Sequence, residues 1–280
     1  MTTTYLATKN PHERDQHIHF DEGPHKYTIQ GVPNITPETE FTSVTTWVHQ
    51  QFEHFDAKKI IAGMMRNQKK WNDPIANAKY YGKTAEEIEQ SWAKAGQEAA
   101  VAGTEMHYKI ECFYNTPDTI STTTDTTPEF KYFLNFNQDF ADTLRPYRTE
   151  WTVFHEEARI AGSIDMVYEL IDPTAATTST PLVIYDWKRC REITKTNRAN
   201  KFANHPAITH LPDTNYWHYA LQLNIYKYIL QTKYGKTISD LYLIVLHPEA
   251  QNYQRVKLPD LQTEVHELFE ERIQKFMNNE

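Results

Sequence analysis

The chain has 280 residues, 39% hydrophobic and 24% charged, with a formal net charge of -8. That length can bury one elaborated domain, or a core with an accessory lobe. Two cysteines, Cys112 and Cys190, exclude a disulfide-framed fold, and the absence of any run of 18 apolar residues excludes a membrane-crossing helix. The first residues, Met-Thr-Thr-Thr-Tyr-Leu-Ala, lack the basic and apolar regions of a signal peptide, so a soluble intracellular protein of cytoplasm or nucleus is expected.

In chain order, residues 19–29 read as a hairpin turning at Gly23-Pro24. Residues 41–48 run into a helix that Thr42 or Ser43 can cap. The free N–H groups at such a helix start can also hold a phosphate, which makes Ser43 and Thr45 candidate DNA contacts. Residues 56–67 and 84–102 read as further helices. Trp47, Trp71 and Trp92 serve either as core or as platforms for unpaired bases. This region, 1–96, is expected to be an accessory hairpin and helical part, with the main domain over 97–280.

Residues 97–113 read as a helix on which His107 and Glu111, four apart, share one face. Such a pair is either an ordinary partly buried histidine beside a surface acid or one side of a metal site. Residues 148–155 and 159–170 alternate as strands, with a hairpin tip at Glu156-Glu157. Residues 182–187 form an almost unbroken apolar run, as a strand buried on both faces requires. A helix over 216–232, a strand over 241–247 and an amphipathic helix over 261–277 follow. The Thr-rich stretches 116–128 and 172–181 read as loops.

Two of these strands carry acids. One holds Gly162-Ser163-Ile164-Asp165, and the next ends in Asp186-Trp187-Lys188. Carboxylates hold hard divalent cations through oxygen. Lys188 lies on the same side of its strand as Asp186, because side chains alternate with period two. Just beyond, Lys188, Arg189, Arg191, Lys195, Arg198 and Lys201 make a cation-rich segment. It is either a solvated loop or a positive path for a nucleic-acid strand, with Arg189, Arg191 and Lys195 as candidate contacts. Gln222 and Tyr226 share a face of the 216–232 helix.

The ordered set Gly103-x-x-x-His107-x-x-x-Glu111, Gly162-x-Ile164-Asp165, Asp186-x-Lys188 and Gln222-x-x-x-Tyr226 resembles the PD-(D/E)XK nuclease superfamily. Within it the set is most similar to the RecB-type exonuclease branch, which includes the mitochondrial genome maintenance exonuclease and phage and large-virus relatives. The resemblance spans about residues 97–248, a little over half of the chain. It implies an α/β fold with a mixed sheet and an α-β-β-β-α-β core. It also implies a Mg2+ or Mn2+ site on His107, Asp165, Asp186 and the Trp187 carbonyl, with Lys188 catalytic and Gln222 and Tyr226 accessory. Glu111 would hold a water or a second ion. The implied activity is hydrolysis of DNA phosphodiesters at ends or single strands, in repair, recombination or replication. A structure-specific endonuclease and a catalytically silent DNA-binding module are the alternatives. Two cysteines are too few for the four-thiolate iron–sulfur cluster of some relatives. The chain has no Gly-x-x-x-x-Gly-Lys-Ser/Thr motif, so unwinding would fall to a helicase or recombinase partner.

Overall fold

The computed structural model describes residues 5–116, 125–171 and 180–278. Most of the two expected loops, 116–128 and 172–181, lies outside the described residues. The elements run α1 (Tyr5–Lys9), a 3-10 turn (Glu13–His17), β1 (Ile18–Asp21), β2 (Lys26–Ile29), β3 (Thr42–Ser43) and α2 (Val44–Gln50). There follow α3 (Ala57–Arg66), α4 (Gln68–Trp71), α5 (Ala85–Asn115) and α6 (Pro128–Asp139). Then come β4 (Leu144–His155), β5 (Ile160–Leu170), β6 (Leu182–Lys188), a 3-10 turn (Pro206–Ile208), α7 (Asn215–Lys233), β7 (Ile238–Val245), β8 (Gln254–Lys257) and α8 (Gln262–Met277).

These elements form two units, Met1–Glu53 with Met106–Glu280, and His54–Glu105. The boundary expected at 96/97 falls inside α5, one uninterrupted helix where the sequence reading had two overlapping ones. No proline breaks it, and it starts at a capping box: Thr84 Oγ1 accepts from Glu87 N at 3.2 Å while Thr84 N donates to Glu87 Oε2 at 2.7 Å. Residues 5–53 belong with the sheet, not with the helices that follow them. Asp15 ties them there, accepting from Arg148 Nη1 at 2.7 Å and from Trp151 Nε1 at 2.9 Å.

In the larger unit a six-stranded mixed sheet runs β3-β5-β6-β7-β8, with β4 along the other edge of β5. The pairs β3·β5 and β6·β7 are parallel, and the rest are antiparallel. Helices cover both faces, so β6 is buried along nearly its whole length, as its apolar run requires. On one face α2, α7 and α8 pack Val44, Trp47, Leu221, Ile225, Val265 and Phe269 against Ile164, Val167 and Ile184. On the other, the end of α5 and α6 pack Ile110, Phe133 and Phe136 against Met166, Tyr185 and Trp187. Helix α6 starts with Pro128, whose missing N–H costs nothing in the first turn, and buries Phe130, Phe133 and Phe136. Asn224, fully buried on α7, fixes α8: its Oδ1 accepts from Leu261 N at 2.9 Å and its Nδ2 donates to Pro259 O at 3.0 Å.

In the smaller unit, Asp56 caps α3 by accepting from Lys59 N at 2.9 Å, and Asn67 caps α4 by accepting from Lys70 N at 3.2 Å. The expected helices over 56–67 and 84–102 correspond to α3 and the first part of α5.

Candidate metal centre

Strand pairing sets the acids. Along one edge of β5, β3 pairs with Ile160 and Ala161, while β6 pairs only from Met166 onward. The last β5–β6 pair is Met166 with Tyr185, so Asp165 and Asp186 are the first residues past the point where the two strands part. On the other edge, β4 pairs Thr149 with Met166 and Trp151 with Ile164. Between those pairs Glu150 faces Asp165. Glu150, Asp165 and Asp186 therefore occupy one row across three strands.

Glu150 has φ 42°, in the left-handed region that a non-glycine residue adopts at a cost. Strain of this kind persists where surrounding contacts over-determine it, and it concentrates at functional sites. Ser163 Oγ donates to Glu150 Oε2 at 2.9 Å, leaving Oε1 3.9 Å from His107 Nδ1. Asp165 Oδ2 lies 3.5 Å from the same nitrogen and accepts from Trp187 N at 2.9 Å. Each of His107, Glu150 and Asp165 offers one ligand atom, all within 4.8 Å of one another.

The imidazole is oriented from behind. His107 Nε2 lies 2.9 Å from Trp187 O, and since a carbonyl only accepts, Nε2 carries the proton. Nδ1 is then the nitrogen that faces the acids, the arrangement by which a backbone carbonyl fixes the tautomer of a ligating histidine. The Trp187 carbonyl, expected among the metal ligands, spends one lone pair on His107.

Asp186, 3% exposed, stands apart from that trio. Its Oδ2 is buried and makes no hydrogen bond of good geometry among the described residues, but the Lys188 ammonium lies 2.7 Å away. Burial, and then the charge of Asp165, push the Asp186 carboxyl up to about 7, against the pull of Lys188. Burial disfavours the charged forms of His107 and Lys188 too, but the neighbouring acids outweigh it. Asp165 and Glu150 lift His107 to about 9, and Asp186 and Asp165 raise Lys188 above its ordinary value. Lys188 also lies 4.7 Å from the ring centre of Tyr219, a further cation-holding contact. In this state Lys188 is a proton donor, not the base that would help deprotonate a water.

The donor set fits a divalent cation. Two carboxylates and one imidazole converge within 4.8 Å, Asp186 is buried on the next strand, and these are oxygen and nitrogen ligands suited to Mg2+ or Mn2+.

The remaining expected residues divide. Gln222 and Tyr226 of α7 come to the site's edge. Gln222 Nε2 donates to Thr45 Oγ1 at 3.4 Å, and Tyr226, 3% exposed, lies against Gly162. Ser43 caps α2, accepting from Thr46 N at 3.1 Å and donating to Thr46 Oγ1 at 2.8 Å. Glu111 is not one of the three residues whose ligand atoms converge. Of the cations after β6, Arg189 Nε bonds Glu129 Oε1 at 2.7 Å, Arg191 pairs with Glu249 at 3.2 Å, and Lys201 pairs with Glu53 at 2.6 Å. Lys195 lies over the Tyr216 ring at 4.6 Å. With Lys188 held by Asp186, carboxylates thus pair with four of the six cations of the segment that reads as a positive path. Trp47 is core, edge-on to Phe269.

Glu150 is the residue the sequence reading missed. A tip at Glu156-Glu157 sets Arg148 opposite Asp165. The actual turn is four residues long, between the pair His155 and Ile160, and sets Glu150 there. An acid between the strand residues Thr149 and Trp151 was the available signal.

No protein-family model matches the chain, and no curated protein matches it. Among solved structures, the crystal structure of SSO0001 is similar at a TM-score of 0.28 and 14% identity, covering 88% of this chain and 80% of that one. That likeness is too slight to assign a family, and among the described residues no helix is long and apolar enough to cross a membrane.

Proposed function

We propose that this protein is a metal-dependent deoxyribonuclease of the PD-(D/E)XK kind, closest in pattern to the RecB-type exonucleases. The observation that carries the reading is the meeting of Asp165, Asp186 and His107 with Lys188 where β5 and β6 part. These residues come from three separate elements, and a purely structural role needs no such concentration of buried charge.

His107 Nδ1, Glu150 and Asp165 would hold a Mg2+ or Mn2+ ion, with Asp186 and the free lone pair of the Trp187 carbonyl as further oxygen donors. Such an ion makes water acidic enough to attack at neutral pH and offsets the negative charge of a phosphodiester. The chain's own groups do the rest. Lys188, held charged by Asp186, gives its remaining N–H donors to the attacking water and to the phosphate oxygens. Gln222 and Thr45, joined across α7 and α2, and Ser43 offer polar contacts for the DNA backbone. Arg189, Arg191 and Lys195 add positive charge only so far as their present partners release them.

End-labelled linear DNA and circular single-stranded DNA, incubated with wild type and Lys188→Ala in Mg2+, Mn2+ or EDTA, test this reading. The expected result is metal-dependent loss of linear DNA by wild type alone, with the circle intact. Cutting of the circle would make the enzyme an endonuclease. DNA bound but uncut under both metals would leave a silent binding module.

A further inference from the structure

Within the unit His54–Glu105 one stretch of this acidic chain is strongly basic. Residues 57–83 hold seven of the chain's 29 lysines and arginines and a single acid, Asp73. Asp73 has both backbone and turn duties, accepting from Ile75 N at 2.8 Å and from Ala76 N at 3.0 Å. Among the described residues, Lys58, Arg66, Lys69, Lys70, Lys79 and Lys83 form no ion pair with a carboxylate, unlike the cations that follow β6. Unpaired cations gathered on a short segment are the electrostatic footprint of a polyanion site.

The same segment encloses a cavity of about 520 Å³, within the range of small-ligand pockets. Met64, Trp71 and Tyr80 give it apolar and aromatic walls, while Asn67, Lys70 and Lys79 bring polar groups to it. Two hydrogen bonds brace its wall: the Trp71 main-chain carbonyl accepts from Asn77 Nδ2 at 2.9 Å, and the Tyr80 hydroxyl accepts from Trp92 Nε1 at 3.0 Å. Lys79 Nζ lies 5.2 Å from the Tyr80 ring centre. Aromatic walls with cations beside them suit a flat heteroaromatic group attached to a phosphate chain. An acidic peptide would use the cations and leave the aromatic walls without a partner.

We propose that residues 57–83 form a binding site for single-stranded nucleic acid, in which an unpaired base enters the Trp71–Tyr80 pocket and the lysines hold the flanking phosphates. The site shares no residue with the cluster around Asp165 and does not depend on the nuclease reading.

The test uses the full chain in EDTA, so that binding is read without hydrolysis. Fluorescein-labelled oligo-dT is titrated by anisotropy at several NaCl concentrations, against the blunt duplex of the same length and phosphatidylserine vesicles. Wild type should bind oligo-dT more tightly than the duplex. Lys69→Ala/Lys70→Ala/Lys79→Ala, all surface changes, should lower the slope of log affinity against log salt by about two. Trp71→Leu should weaken binding about tenfold while leaving that slope in place. Unchanged affinity and slope in the lysine variant would overturn the proposal. So would equal affinity for duplex and single strand, or vesicle binding without oligo-dT binding.

Discussion

At the scale of single residues, Glu150 is the side chain whose geometry is hardest to explain without a ligand. A strand residue with φ 42° that turns its carboxylate toward His107 and Asp165 gathers like charge at a conformational cost. Glu150→Gln keeps the shape and the Ser163 hydrogen bond but removes the charge. Its Mn2+ affinity, measured by calorimetry, is expected to fall at least about tenfold. Proton competition gives a second prediction at this scale. With His107 at about 9 in the metal-free protein, its proton must leave when Nδ1 takes a cation. Mn2+ affinity should therefore rise about tenfold per pH unit from neutrality toward pH 9, then level off. His107→Gln should flatten that dependence. A flat profile in wild type would show that Nδ1 is not a ligand.

At the scale of elements, the sheet and α7 meet through Gly162. A Cβ there would lie 2.8 Å from both Cε1 and Oη of Tyr226 and 3.0 Å from Val44 Cγ2. Gly162→Ala must push α7 or α2 away from β5, and overpacking of this kind costs about 1–3 kcal/mol. Urea unfolding should show that loss, and Tyr226→Leu in the same chain should recover part of it. Much of this was legible in the sequence, because Gly162, Asp165, Asp186 and Tyr226 sit on segments that alternation, an unbroken apolar run or length marks as strand or helix. What escaped was set by pairing, not pattern. Glu150 depended on the length of one turn. Helix α6 follows a Thr-rich run and has Phe130, Phe133 and Phe136 repeating every three residues as its apolar signal. Strand β8, four residues of which three are exposed, exists through its ladder to β7 and has no apolar alternation to announce it. The expected boundary at 96/97 lies inside α5, which is continuous in sequence pattern, while contacts divide that helix after Glu105.

At the scale of the whole molecule, the charge cluster makes stability depend on pH in a defined direction. Asp186 is raised from 3.8 to about 7, and His107 from 6.5 to about 9, so the folded protein holds protons that the unfolded chain would release. Each group contributes stability that is fully present below its unfolded value and is lost as pH rises through its folded one. For Asp186 that window runs from about 4 to about 7, and for His107 from about 6.5 to about 9. Burial lowers His155 to about 4, so it adds stability as pH rises from about 4 to 6.5 and opposes Asp186 there. The metal-free protein should accordingly lose stability chiefly between about 6.5 and 9, as His107 gives up its proton. A cation that binds only the folded state adds stability by mass action, and it does so most where the competing protons have left. Thermal unfolding in EDTA should thus show Tm falling from about pH 7 to about pH 9, and excess Mn2+ should flatten or reverse that fall. Glu150→Gln should reduce the rise in Tm produced by Mn2+, because one carboxylate of the converging set no longer carries charge. If Tm in EDTA instead climbs with pH over this range, the cluster is not protonated as described and the buried row of acids must be balanced in another way.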